Sequence, residues 1–218
     1  MHRTVFLKNK FLFLIASGLL FSCGGNREER LPYYNTPDFT PLFIQDPKQV
    51  ADSVPHQIGH FALTDQNGKT ISEKDIEGKI HIANFIFTSC GSICPVMTKN
   101  LKEASQIFAA DSDIVFLSFS VTPWIDDVAR LKAYQLQNGI SNPHWHFLTG
   151  NRAEIYQLAR TSYFAEEDLG FTKDSTEFLH TEHILLVDPS KRIRGIYNGT
   201  LQLDVKQLIA DVRALSEE

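Results

Sequence analysis

Apolar residues along the chain fall into two patterns. Ile80 to Thr88 (IHIANFIFT) and Ile114 to Val121 (IVFLSFSV) are nearly continuous apolar runs, rich in β-branched and aromatic residues. Such runs predict strands covered on both faces of a sheet. Elsewhere the apolar positions recur at helical spacing. Pro95 suits the first turn of a helix, and Val96, Met97, Leu101, Ala104 and Phe108 then line one face. Asp126 to Asn138 predicts a second helix with Val128, Leu131 and the Ala133/Tyr134 pair inward and Gly139 as its stop. Ala153 to Ala159 and Val205 to Leu215 predict two more helices, and His146-Phe147-Leu148 a short strand. Two hairpins complete the pattern. One joins Phe61-Ala62-Leu63 to Lys69-Thr70-Ile71 through Asn67-Gly68, a pair that readily supplies the positive φ of a tight turn. The other joins His183–Val187 to Ile193–Tyr197 around Asp188-Pro189-Ser190-Lys191. The order ββ, βαβαβ, ββα predicts an α/β fold: a mixed sheet with helices on both faces and an N-terminal hairpin.

The start of the chain reads differently. Met1 to Lys10 carry Arg3, Lys8 and Lys10 with no acid, and Phe11 to Phe21 are almost wholly apolar or small. This is the pattern of a secretory leader, too short to span a bilayer comfortably. Its ending, Leu20-Phe21-Ser22-Cys23-Gly24, resembles a bacterial lipoprotein signal, which implies cleavage after residue 22 and a lipid on Cys23. The expected location is therefore the bacterial cell envelope, anchored to a membrane with the domain outside the cytoplasm, on the periplasmic side. Residues 23–56 hold five of the nine prolines, Pro32, Pro37, Pro41, Pro47 and Pro55, and predict a solvated Pro-rich tether. Residues 57–218 are then the folded domain.

Composition narrows the partners. With 43% hydrophobic and 22% charged residues the chain has the mix of a globular domain. Its formal charge is −5; without the leader, 18 basic side chains face 26 acidic ones. No basic stripe is visible, which argues against a nucleic-acid partner.

The chemistry sits at Cys90-Gly91-Ser92-Ile93-Cys94-Pro95, where a buried strand ends and a helix begins. Open α/β sheets place their sites there. A helix N-terminus favours the thiolate, which is both the nucleophile and the soft metal ligand. Four-residue spacing lets the sulfurs close a disulfide or converge on one ion. A bridge over so small a loop removes little chain entropy, so a purely stabilising role is the weaker use of the pair.

A strand, a Cys pair at a helix start, a later βα unit and a hairpin outline a thioredoxin-like fold. Thioredoxins carry two residues between their cysteines and a cis-proline facing the sulfurs. Here three residues intervene, and the facing stretch reads Phe178-Leu179-His180-Thr181. Two thiolates and one imidazole make a soft to borderline donor set that suits copper as Cu(I) or Cu(II).

From Gly59 onward the chain resembles the Sco (SenC) family of copper-binding proteins that help assemble cytochrome c oxidase. The resemblance is carried by Phe85-Ile86-Phe87-Thr88-Ser89-Cys90-Gly91-Ser92-Ile93-Cys94-Pro95, by Ser118-Phe119-Ser120-Val121-Thr122-Pro123 with Asp126, by Phe147-Leu148-Thr149-Gly150, and by His180-Thr181 before Pro189. It implies copper ligation by Cys90, Cys94 and His180, with Asp126 near the site. It also implies a copper donor protein and a terminal oxidase's copper-containing subunit as partners. Two positions depart from the family: Leu179 stands where it has an aspartate before the ligand histidine, and Trp124-Ile125 where it has a charged pair. A change beside a ligand alters its orientation and basicity.

His183 competes with His180, but on an extended segment an odd offset turns it to the opposite face, and alignment to Pro189 favours His180. His144 and His146 read as a polar pair and Met97 as a core residue. Two functions use these residues: a metallochaperone handing copper to an oxidase, and a thiol-disulfide oxidoreductase in which Cys90 attacks a partner's disulfide and Cys94 resolves it. His180 discriminates between them, because dithiol exchange does not need it.

Overall fold

A computed structural model of the chain describes residues 30–165 and 181–218. In chain order the elements are β1 (Tyr33–Tyr34), β2 (Pro41–Leu42), α1 (Val50–Ser53), β3 (Ala62–Asp65), β4 (Thr70–Ser72), β5 (Ile80–Ile86) and α2 (Ile93–Ile107). They continue with β6 (Ile114–Ser120), α3 (Val128–Gln137), β7 (Trp145–Thr149), α4 (Arg152–Thr161), β8 (His183–Val187), β9 (Ile193–Asn198) and α5 (Gln202–Glu217). The described strands form one mixed sheet in the order β2-β1-β9-β8-β5-β6-β7-β3-β4.

The two long apolar runs become the centre of that sheet. β5 and β6 pair in parallel from Ile80↔Ile114 to Ile86↔Ser120, and every residue of both is buried. Alternation along β5 sends Ile80, Ile82 and Ile86 to one face, where Leu101 and Ala104 of α2, Leu131 of α3 and Leu208 of α5 meet them. Ala83 and Phe85 point to the other face, covered by Ile155, Leu158 and Ala159 of α4 and by Leu63 and Ile71 of the β3–β4 hairpin. Both layers are closed, and each fully buried large apolar side chain contributes about 2 kcal/mol relative to exposure. The fold is thioredoxin-like, as the element order predicts.

The turn residues act as expected: Gly68 takes φ 76° between β3 and β4, and Gly139 takes φ 59° where α3 stops. Two inward positions do not. Val96 is 44% exposed and Ala133 is exposed. One position along a helix is about 100° of rotation, so burying Met97 and Tyr134 turns their predecessors outward.

The largest correction concerns the tether. Residues 31–54 belong to the folded body. β1 extends the sheet by pairing with β9 at Tyr34↔Ile193, and β2 pairs with β1. Tyr33, Val50 and Val54 form a small core of their own. Two buried arginines of β9 and the turn before it fasten this strap. Arg194 donates to the carbonyls of Leu31 (2.8 Å) and Pro32 (3.2 Å) and lies over the Tyr33 ring, and Arg192 donates to the Val54 carbonyl (2.8 Å). Proline keeps the strap locally extended, and an exposed sheet edge is what an extended segment pairs with. Farther along, the Phe39 ring meets the rings of Phe164 and His183 edge-on, at 6.1 and 5.9 Å between centroids.

Candidate metal centre

β5 and β6 run parallel and in register, so their carboxyl ends stop side by side, and the loops that follow share one edge of the sheet. After β5 the chain turns through a Cys90 N–H to Phe87 carbonyl bond (3.0 Å) and enters α2 at Ile93. Cys94 therefore lies in the first turn of α2 and Cys90 in the loop just before it. Both thiols are free.

The two sulfurs sit in different surroundings. Cys90 is half-buried and Cys94 buried. Partial burial raises the Cys90 thiol, but hydrogen bonds from the backbone of Cys94, Ser92 and Ile93 and from the Cys94 side chain outweigh it, so the thiol lies below its ordinary value. These are the unpaired N–H groups of the helix start, aimed at the sulfur. Burial, with Cys90 as its hydrogen-bonded neighbour, pushes the Cys94 thiol up to about 11. The pair thus joins one thiol that ionises more easily than an ordinary cysteine to one that ionises less easily. Tyr134 of α3 stands in the same electrostatic neighbourhood. Burial and the negative charge of Cys94 and Cys90 push its hydroxyl up to about 12 against a 2.7 Å bond with Thr98.

The loop after β6 supplies a buried anion. Asp126 is fully buried and accepts from the hydroxyls of Ser120 (2.7 Å), Thr122 (3.0 Å) and Thr88, and from the Thr88 N–H (3.3 Å). Its countercharge is Arg130, one helical turn on, at 3.5 Å. Arg130 also donates to Thr88 Oγ1 (2.8 Å) and to Ser89 Oγ. Asp126 thus lies next to the thiol loop, tied to it through Thr88.

Cys90 and Cys94 lie within hydrogen-bonding reach of each other, and Asp126 is tied to the loop before them through Thr88. His180, Leu179 and Cys23 lie outside the described residues. His183 opens β8, and alternation puts it on the sheet face of Leu185, away from Ile184 and the α2 side. Its ring packs on Phe39. Met97 is fully buried core. His146 pairs with Asp65 at 3.0 Å, on β7 and β3. Trp124 and Ile125 are exposed, 54% and 39%, in the loop leading to Asp126. Thr88, Ser89, Arg130 and Tyr134 carry roles that sequence reasoning did not assign. The i, i+4 spacing of Asp126 and Arg130 on a predicted helix was the available signal. Among the described residues, no group of three or more His, Cys, Asp or Glu side chains is placed to hold a metal, and no helix is long and apolar enough to cross a membrane. The two soft thiols at one helix start nonetheless fit a thiophilic ion as part of a larger ligand set.

A thioredoxin-like sheet with a CxxxC pair at the carboxyl end of a central strand defines the class of protein. A model of the SCO1/SenC family matches residues 49–217, and the chain belongs to that family. It is 30% identical over 171 residues to the SCO1 protein homolog of Bacillus subtilis, covering 78% of this chain and 88% of that one. The structure of a SCO1/SenC family lipoprotein from Bacillus anthracis superposes with a TM-score of 0.64 at 27% identity, over 74% of this chain and 95% of that one. Bradyrhizobium japonicum ScoI, solved with copper bound, gives a TM-score of 0.57 at 30% identity, over 72% and 98%.

Proposed function

We propose that this protein is a copper metallochaperone. It binds copper through Cys90, Cys94 and His180 and passes it to the copper-containing subunit of a terminal (cytochrome c) oxidase during assembly. It takes the metal from a donor protein and is held by a lipid on Cys23 to a membrane of the bacterial envelope, with the domain on the periplasmic side. The single observation that carries this reading is the pair of free, unequally buried thiols at one helix start. Support comes from a family whose copper-binding members are linked to cytochrome c oxidase assembly, and from a relative that is a lipoprotein. Copper is cargo here. Soft sulfurs hold Cu(I), an imidazole nitrogen extends the set toward Cu(II), and the more exposed Cys90 is the first ligand an incoming partner's donor meets.

One observation favours a second activity of the same pair. A half-buried Cys90, its sulfur met by the N–H groups of the helix start, beside a buried Cys94 is the arrangement of an attacking and a resolving thiol. Cys90 thiolate would attack a partner's disulfide, and Cys94 would displace the partner's thiol, leaving Cys90–Cys94 oxidised and the partner's two cysteines reduced.

The test is copper titration of the reduced full chain in detergent, beside Cys90→Ser, Cys94→Ser and His180→Ala. One copper per chain with a thiolate-to-Cu(II) absorption band, abolished by either Ser variant and weakened by His180→Ala, is expected. Weak copper indifferent to His180, with rapid reduction of a model disulfide, would leave the oxidoreductase as the function.

A further inference from the structure

Within the loop that carries the thiol pair the anchoring is local, through the Cys90 N–H to Phe87 carbonyl bond and the helix-start N–H groups on the Cys90 sulfur. A Cβ at Gly91 would meet nothing within 4 Å, and the Ser92 side chain makes no capping bond to α2. Among the described residues, Arg130 of α3 reaches this loop from outside. Its Nε donates to Thr88 Oγ1 at 2.8 Å and a terminal nitrogen donates to Ser89 Oγ, so one planar guanidinium grips the two residues immediately before Cys90. The grip is backed from below. Thr88 passes its own hydroxyl hydrogen to Asp126, which is fully buried and also bonds the Thr88 N–H.

We propose that Arg130 is a positioning residue for the thiol pair. Its two-pronged hold on Thr88 and Ser89 fixes the direction in which the chain leaves β5, and with it the placement of Cys90 against Cys94 before any metal arrives. The physical reason is preorganisation: sulfurs already held near each other lose less freedom when they close a disulfide or converge on an ion. Arginine is required because only a rigid fork reaches both hydroxyls at once, whereas a lysine ammonium is a single point on a flexible stem. In this role Arg130 acts on the pair through Thr88 and Ser89. The inference deepens the reading of Cys90 and Cys94 as the functional pair and does not depend on which chemistry they perform.

The experiment uses the full chain in detergent, as wild type, Arg130→Ala, Arg130→Lys, Ser89→Ala and the Ser89→Ala/Arg130→Ala double variant. The first readout is metal-free: the equilibrium between the Cys90–Cys94 dithiol and its disulfide in a glutathione buffer, where oxidised glutathione becomes two reduced thiols as the pair closes. Arg130→Ala is expected to shift this equilibrium by roughly three- to tenfold, and Arg130→Lys to recover less than half of the shift. Ser89→Ala should add little in the Arg130→Ala background, because both remove the same contact. The second readout is the copper absorption and electron paramagnetic resonance signature, which should change in the same variants; Arg130→Lys keeps the positive charge beside buried Asp126, so a change there reads the lost fork rather than lost stability. An Arg130→Ala equilibrium within twofold of wild type, full recovery in Arg130→Lys, or complete additivity with Ser89→Ala would each overturn the proposal. The two readings fail separately. Wild type that takes no copper while the glutathione shift persists sinks only the copper function, and normal copper binding with no shift sinks only the role of Arg130.

Discussion

Arg194 offers the sharpest test of how the N-terminal strap is held. Its side chain is 2% exposed and serves five partners: the carbonyls of Leu31 (2.8 Å) and Pro32 (3.2 Å), both carboxylate oxygens of Glu218 (2.9 Å each), Asp188 (3.4 Å) and, face-on at 4.1 Å, the Tyr33 ring. Replacing it with alanine removes charge-assisted bonds worth about 1.5 kcal/mol each to two carbonyls and a cation–π contact of about 1 kcal/mol. It also leaves Glu218 without its countercharge. Asp188 loses less, because Ser190 and the Arg192 N–H still serve it. The carbonyls regain water once the strap lifts, so the expected loss is about 3 to 5 kcal/mol, the range for breaking a buried pair. For a domain of this size that lowers the unfolding midpoint by roughly 10 °C. Urea unfolding followed by circular dichroism measures the total, and tryptic cleavage after Lys48 measures release of the strap. Cleavage should speed up in Arg194→Ala under conditions where the rest of the domain remains folded. A loss below about 1 kcal/mol with unchanged cleavage would refute the reasoning and assign the strap's hold to Tyr33, Val50 and Val54 and the Arg192 bond instead.

Two further outcomes follow from buried groups. His81 is fully buried against the Tyr163 hydroxyl, and burial, aided by the positive charge of Lys191, lowers it to about 3 from an ordinary 6.5. The unfolded chain therefore takes up a proton that the folded one refuses, so stability is fully present above about pH 6.5 and is lost as pH falls toward 3. Between pH 7 and 5 this amounts to about 2 kcal/mol, which His81→Gln should remove from the pH dependence of urea unfolding; an unchanged slope would locate the acid sensitivity elsewhere. Gly195 lies under the Tyr197 ring, where an added Cβ would sit 2.1 Å from the hydroxyl oxygen and 2.6 Å from the ring carbon that bears it. Gly195→Ala should push Tyr197 off its 2.7 Å bond to Asp211 and destabilise the domain by about 1 to 3 kcal/mol; a neutral result in thermal unfolding would show that the ring swings aside freely.

Much of this protein is readable one window at a time. The runs at Ile80 and Ile114 are apolar throughout because both faces of a central strand are covered, Gly68 and Gly139 mark positions that need a positive φ, and Cys90 and Cys94 straddle a strand end and a helix start. Those features depend on side-chain period, turn geometry and neighbouring residues, so the chain alone determined the α/β fold and the place of the thiol pair. The strap is different. Its prolines specify extended backbone, but whether an extended segment is solvated or becomes an edge strand depends on Arg192 and Arg194, some 140 to 160 positions away. The same holds around the site. Nothing local to Arg130 says that its fork ends on Thr88 and Ser89, or that Tyr134 shares the surroundings of the cysteines. Those contacts exist only because β5 and β6 stop in register at one edge and α3 leaves from there. Tertiary structure decided them because they are closures between distant segments, each made possible by the packing of the others.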